Sequence, residues 1–309
     1  MRDDQIPRVR SFSRAVTMSL GALQASYLAR GRPLGEARVI FEVGQEGADV
    51  LRLRAKLGLD SGYTSRLLKS LSRQGLVETL RDASDGRRRR VALTEKGLAE
   101  LRAYDILSDR LAAATLERLD GRRRERLVAA MGEVERLLAA TRVGIEFEPP
   151  TGEAGRYCLG LYFRELSERF EGGYEAASDE TATAEEMIPP AGRFVVARLD
   201  GDPIGCGALK RVDEHAGEIK RIWVAKRARG LGVARRILGK LEAAARETGL
   251  VILRLDTNRA LTEAHALYRA EGYCEVERFN DNPYAHHWFE KRLDSFGRPR
   301  TRVDAGTKA

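Results

Sequence analysis

From Leu98 to Leu138, apolar residues recur at Leu98, Leu101, Leu111, Leu116, Leu119, Val128, Met131, Val134 and Leu138. These spacings draw a stripe along a helix, and Asp120-Gly121 predicts a break in it. Upstream, "DVLRLRAKLGLDSGYTSRLLKSLSRQGLVETL" holds two shorter helical runs. Leu51, Leu53 and Leu57 are expected to anchor the first, Gly58 permits the turn, and Ser61 is a candidate cap for the second. Leu67, Leu68 and Leu71 mark the second helix's buried face, and Gly75 ends it. "LVETL" and "RRRVAL" then flank a turn containing Asp85-Gly86, a hairpin signal. Later the texture changes. "RFVVARLD", "PIGCGALKRV", "EIKRIWVA", "VILRLDTN" and "HHWFEKRL" read as strands, with helices near Gly230–Thr248 and Leu261–Glu271 and a further helix over "YCLGLYFRELSERFEGGYE". The fold class is α+β in two domains: a mostly α first half with a β-hairpin, and a mixed α/β second half.

Between them, "RVGIEFEPPTGEAGRY" contains Pro149-Pro150. Consecutive prolines cannot continue a helix, since each lacks an amide donor. The expected domains are residues 1–146 and 147–294, with 295–309 a polar tail. The net charge of +8 is divided unevenly. Residues 1–145 carry 28 Lys and Arg against 19 Asp and Glu, hence +9; residues 146–309 carry 26 against 27, hence −1. A basic half points to a polyanion such as nucleic acid. Cys158, Cys206 and Cys274 are far apart and outside C-x-x-C spacing, which argues against structural zinc or a disulfide framework. No metal site is expected. No apolar run approaches a membrane span and no signal core is present, so a cytoplasmic protein is expected.

On the second helix of the first half, Ser61, Tyr63, Thr64, Ser65, Arg66, Lys69 and Arg73 are candidates to meet DNA. Hydroxyls and cations bond base edges and phosphates when such a helix enters the major groove. A basic amphipathic helix with a solvated face would look the same. The hairpin decides between them, because Arg87, Arg88 and Arg89 cluster at its tip and return strand, where they could enter a minor groove or neutralise phosphates. The order helix-turn-helix, wing, "LTEKG" resembles the MarR family of winged-helix regulators over roughly residues 8–140. That resemblance implies double-stranded DNA as a partner. It also implies a homodimer built from helices here placed at Val9–Ala29 and within Leu98–Ala140.

In the second half, "EIKRIWVAKRARGLGVARRIL" runs a strand into a basic, glycine-bearing turn that opens a helix. The first turn of a helix has unpaired amide donors and partial positive charge, and glycines let a bulky anion approach. No G-K-[S/T] follows, and Arg235 stands where a dinucleotide fingerprint needs its third glycine. Together with "LDTNRALTEAHALYRAEGY", the run resembles the GNAT superfamily of N-acetyltransferases over about residues 150–294. The ending "RFNDNPYAHHWFEKRL" fits regulators in which MarR and GNAT parts are fused.

This resemblance implies acetyl-CoA as the acetyl-donor cosubstrate and an amine of a small molecule or a protein lysine as acceptor. Ile222, Trp223 and Val224 would run alongside pantetheine. Arg227, Arg229, Gly230, Leu231, Gly232, Val233 and Ala234 would surround the pyrophosphate, and Asn258 could contact the cofactor. Tyr268 would protonate the departing thiolate. Glu218 shares the parity of Ile222 on their strand, so both could face one side, and it matches a position that often supplies the base. Of His286 and His287, adjacent on a strand, at most one could face a pocket. Tyr162, Arg164, Glu165, Arg169 and Phe170 could shape an acceptor pocket, although amphipathic packing of Leu161, Leu166 and Phe170 is the more economical explanation of this helix. The chain is thus read as a DNA-binding regulator and N-acetyltransferase. The alternative is a transcription factor whose second domain senses acetyl-CoA or an amine without catalysis.

Overall fold

The structure is a computed structural model, and it describes residues 3–19, 25–81, 89–175 and 182–293. The chain divides into two compact units, Met1–Gly132 and Glu133–Ala309. In the first unit, α1 (Gln5–Ser19) is followed by α2 (Leu34–Val43), β1 (Ala48–Asp49), α3 (Val50–Leu57) and α4 (Ser61–Arg73). Then come β2 (Val77–Arg81), β3 (Arg89–Leu93), α5 (Glu95–Glu117) and α6 (Gly121–Thr141), the last of which runs across the division at Gly132 and Glu133. The interval between α5 and α6 is the break expected at Asp120-Gly121. The helix expected over Val9–Ala29 is found over Gln5–Ser19.

The three strands form an antiparallel sheet in the order β1-β3-β2, with Val77 opposite Leu93 and Arg81 opposite Arg89. Val39, Ile40, Leu53, Leu67, Leu71, Leu76 and Val91 pack into the core that binds α2, α3 and α4 to this sheet. Leu51, one of the expected anchors, does not serve as one: it is 60% exposed. In α3, Leu53 is buried, and Val50 and Leu57 pack half-buried against the same core. Asp49 and Asp60, not Ser61, cap α3 and α4; the Asp60 carboxylate accepts from the Tyr63 amide at 2.8 Å. A carboxylate one position earlier reaches the free amides of the first turn, which leaves Ser61 as the first helical residue.

The second unit begins before the expected boundary. β4 (Val143–Phe147) pairs antiparallel with β5 (Gly192–Leu199), so 146/147 falls inside a strand of this unit's sheet. Val143 and Ile145 are buried, an alternation that the two prolines downstream masked. The unit continues with α7 (Glu153–Arg169), β6 (Asp202–Arg211), β7 (Ala216–Val224), α8 (Val233–Glu247) and β8 (Ile252–Thr257). α9 (Thr262–Ala270), β9 (Cys274–Val276) and β10 (His287–Arg292) complete it. The sheet order is β4-β5-β6-β7-β8-β10-β9. One face packs against α8 and α9 through Val195, Leu209, Ile219, Ile237, Leu241, Leu253, Leu255 and Phe289. Phe194, Val196, Cys206, Ala208 and Trp223 face Ala154 and Cys158 of α7. Gly207 permits the α8 packing: a Cβ there would come within 2.6 Å of Ile222 Cδ1 and Ile237 Cγ2. The expected tail, 295–309, lies outside the described residues. Among the described residues no helix is long and apolar enough to cross a membrane.

Candidate active site and nucleic-acid interface

Among the described residues, β7 and β8 are the one parallel pair in the larger sheet, and their pairing stops early. Ala216, Gly217 and Glu218 lie opposite Ile252, Leu253 and Arg254, after which β7 runs on to Val224 without β8 beside it. The parted strand ends leave backbone and side chains of both accessible between them. β7 also carries a bulge: Cys206 of β6 lies opposite Trp223 and Ala208 opposite Lys220, two steps on β6 against three on β7. Arg221 takes up the extra residue with φ of 58°. The side-chain alternation therefore shifts. Ile219 and Ile222, three residues apart, both pack toward the α8 core, while Trp223 packs toward α7.

Beyond β7, Lys226–Ala228 makes a short 3-10 turn and Gly232 begins α8. Gly230 and Gly232 adopt φ of 82° and 71°, left-handed backbone that side chains other than glycine's rarely tolerate. Nothing lies within 4 Å of a Cβ placed on either, so open space adjoins the turn. A groove of about 460 Å³ runs here, lined by Ile222, Trp223, Val224, Arg229, Gly230, Gly232, Val233 and Ala234 together with Glu165 and Arg169 of α7. Eight of the residues expected at the cofactor thus come together in it. Arg227 and Leu231 do not line it. Ala228 is the buried member of the turn, so its neighbour Arg227 projects outward, 4.0 Å from Asp202, and Leu231 packs against the α8 core.

The groove meets a smaller cavity of about 80 Å³ whose lining includes Tyr162, Phe170, Tyr174, Asp256, Asn258, Tyr268 and Tyr284. Tyr268 is buried beside Tyr273 and Phe289, at 5.9 Å from each ring, and burial pushes its hydroxyl pKa well up. It fills core and lines the cavity at once. Asn258 donates to the Tyr284 carbonyl at 2.8 Å and accepts from the Ala260 amide at 2.9 Å. This holds the turn between β8 and α9.

Glu218 does not line either cavity. It is buried on the sheet face opposite Ile222, where its carboxylate lies 3.1 Å from Lys220 Nζ and accepts from Asn280 Nδ2 at 3.1 Å. Lys220 is also 2.6 Å from Asp256, which accepts from Asn280 and Asn282 at 2.7 Å each. Burial opposes the ammonium, but Asp256 and Glu218 outweigh it and hold the Lys220 pKa above its ordinary value. The parity that Glu218 was expected to share with Ile222 is broken by the bulge. His286 and His287 lie outside both linings as well; the His287 ring lies tilted against His265, 4.4 Å between centroids, and bonds Glu275 at 2.6 Å.

Several site residues escaped the sequence reading. Asp256 stands inside "LDTNRALTEAHALYRAEGY", and Asn280, Asn282 and Tyr284 inside "RFNDNPYAHHWFEKRL". Their polar run before a strand was the available signal. Tyr174 and Arg221 gave none: the Arg221 guanidinium lies 5.0 Å over the Phe163 ring and donates to Tyr174 at 3.4 Å.

In the first unit, α4 presents Ser61, Tyr63, Ser65, Arg66, Lys69 and Arg73 to solvent. Arg66 lies 5.5 Å over the Tyr63 ring. Thr64 is the exception. It is 2% exposed, and its hydroxyl donates to the Asp60 carbonyl at 2.8 Å. It shares the face of Leu67 and Leu71, which the helical repeat dictates. Glu36 of α2 fixes α4 from behind, accepting from Ser70 at 2.7 Å and Gln74 at 2.9 Å. Arg89 is exposed, opposite Arg81 at the turn end of the described strands. Arg87 and Arg88, with Asp85-Gly86, lie outside the described residues.

Sequence comparison matches residues 161–273 to the acetyltransferase (GNAT) family and residues 35–97 to a winged helix DNA-binding domain. The chain is similar to an IAA acetyltransferase of Azospirillum brasilense, 38% identical over 112 residues, covering 36% of this chain and 72% of that one. Among solved structures it is similar to a GNAT family acetyltransferase from Staphylococcus aureus, at 18% identity and TM-score 0.43, covering 49% of this chain and 99% of that one. Another is a GNAT family acetyltransferase from Elizabethkingia anophelis with acetyl-CoA bound, at 18% identity and TM-score 0.37, with the same coverage of each chain.

Proposed function

The chain belongs to the acetyltransferase (GNAT) family, and on that premise we propose that it is an acetyl-CoA-dependent N-acetyltransferase joined to a DNA-binding regulator. One observation carries the catalytic part: the glycine turn at the start of α8 opens onto a groove that meets a cavity lined by Tyr268 and Asn258. The left-handed glycines and the amides of the first α8 turn suit a diphosphate. The exposed edge of β7 past Glu218 suits an extended pantetheine arm, and the small cavity suits the thioester and the attacking amine. Acetyl transfer forms an N–C bond and breaks the C–S bond, while the amine loses a proton and the sulfur gains one. Tyr268 carries its proton at neutral pH, as an ordinary phenol does, and burial raises its pKa further, so its hydroxyl is available to donate a hydrogen bond to that sulfur. The acceptor is an amine of a small molecule or a protein lysine.

The winged helix is proposed to bind double-stranded DNA through α4 and the hairpin, in the manner of MarR regulators and as a homodimer. The exposed apolar residues Ile6, Val9, Phe12 and Val16 of α1 support the dimer, since their spacing makes one helical face. We place the protein in the cytoplasm. Coenzyme A release by the full chain with a panel of amines tests the enzyme. Turnover that exceeds the amine-free rate is expected for at least one acceptor; acetyl-CoA binding without turnover across the panel would leave only a sensor.

A further inference from the structure

Across the groove from the glycine turn, α7 presents a carboxylate. Glu165 accepts from Arg229 Nη2 through both oxygens at 2.6 Å, from Trp223 Nε1 at 3.0 Å and from Arg169 at 3.2 Å. Its side chain is 12% exposed, against 37% for Arg229. Arg169 in turn pairs with Glu263 and donates to the Ala260 carbonyl at 2.6 Å, which ties α7 to the start of α9. Arg229 also donates from Nε to the Val224 carbonyl at 3.1 Å. The guanidinium nearest the glycine turn is thus already matched by an anion on the groove wall. Burial disfavours the charge on Glu165, but the donors from Arg229 and Trp223 outweigh it and keep the carboxyl below its ordinary pKa, so it is ionised at neutral pH.

We propose that Glu165 is a positioning residue that competes with the donor's diphosphate for Arg229 and thereby sets how readily coenzyme A leaves. This rests on the reading of the groove as an acetyl-CoA site. An incoming diphosphate meets a guanidinium whose charge is offset, and it also faces the Glu165 carboxylate itself. Both effects weaken the hold on the donor. When coenzyme A departs, Glu165 and Arg229 pair again and lower the energy of the empty groove. Glu165→Gln removes the negative charge and retains a carbonyl oxygen for Trp223 and Arg229.

The test is calorimetry and stopped-flow dissociation on the full chain, with coenzyme A and with pantetheine, which lacks the diphosphate. For Glu165→Gln, coenzyme A affinity is expected to rise about tenfold, the scale of one partly screened charge near the ligand. The gain is expected in a slower off-rate. Pantetheine affinity should be unchanged, Glu165→Asp should behave like the wild type, and in an Arg229→Ala background the gain should shrink. An unchanged or weaker coenzyme A affinity in folded Glu165→Gln would overturn the competition and make Glu165 a brace for Arg229. Equal gains for coenzyme A and pantetheine would also overturn it. If the wild-type chain bound no coenzyme A, the donor site itself would fail, and the inference with it.

Discussion

Glu218 and Ile222 lie on opposite faces of β7, although they are four positions apart. In an unbroken strand an even spacing keeps two side chains on one face. The extra residue at Arg221 reverses the alternation, so Ile222 meets the α8 core while Glu218 joins Lys220 and Asn280 behind it. Glu218→Gln is therefore expected to act on stability. Loss of one charged partner in a buried network costs about 1–3 kcal/mol. Denaturant unfolding should register that loss, while the pH dependence of acetyl transfer keeps its midpoint. A displaced midpoint would restore Glu218 as the base.

Tyr268→Phe removes only a hydroxyl from a ring that packs on Tyr273 and Phe289. The fold and the acetyl-CoA affinity should persist, and the single-turnover rate should drop by about 10²–10⁴-fold if the hydroxyl protonates the sulfur. An unaltered rate would reduce Tyr268 to a core residue.

Gly232 holds φ of 71° with open space where a Cβ would stand. Gly232→Ala meets only backbone strain, about 1–2 kcal/mol, and should bind acetyl-CoA weakly rather than not at all. Gly232→Glu adds an anion where the diphosphate is expected and should abolish binding. Calorimetry on both folded variants checks the order; equal binding by the two would remove the phosphate from this turn.

DNA binding separates the two basic elements. Arg66→Ala, Lys69→Ala and Arg89→Ala should each weaken duplex binding and reduce the salt slope by about one for each phosphate left without its cation. Arg229→Ala should leave that slope alone. Thr64→Val should lower stability through the buried hydroxyl bond to Asp60 and leave the slope unchanged. A shallower slope for Thr64→Val would mean that α4 binds DNA with another face.

The hydrogen bonds from Arg169 hold the Glu263 carboxyl pKa down to about 2. Unfolded glutamate titrates near ~4.3. A carboxyl depressed in the folded state contributes stability above the unfolded value and loses it as pH falls toward 2. Glu263 is 54% exposed, so the effect is small and screened by salt. The melting-temperature gap between wild type and Glu263→Gln should narrow from pH 5 to pH 2. A constant gap would show that the pair carries no linked stability.

Helices α3 to α9, the hairpin strands and five strands of the larger sheet were legible in the sequence, because periods of 3.6 and 2 follow from backbone geometry alone, whereas α2 was not anticipated. The glycine turn was legible for the same reason: left-handed backbone selects its residue. The sequence by itself also determined that the positive charge excess lies in the winged-helix half. β4 was hidden because Pro149-Pro150 drew the boundary into it, and only its pairing with β5 revealed it. Tertiary structure alone decided the facing of Glu218, since a bulge is an event between strands and leaves no period in one of them. It also decided that Thr64 is buried, that Arg227 turns outward, and that Glu165 meets Arg229 from another element. Such pairings join residues far apart in the chain, and no local spacing encodes their distance.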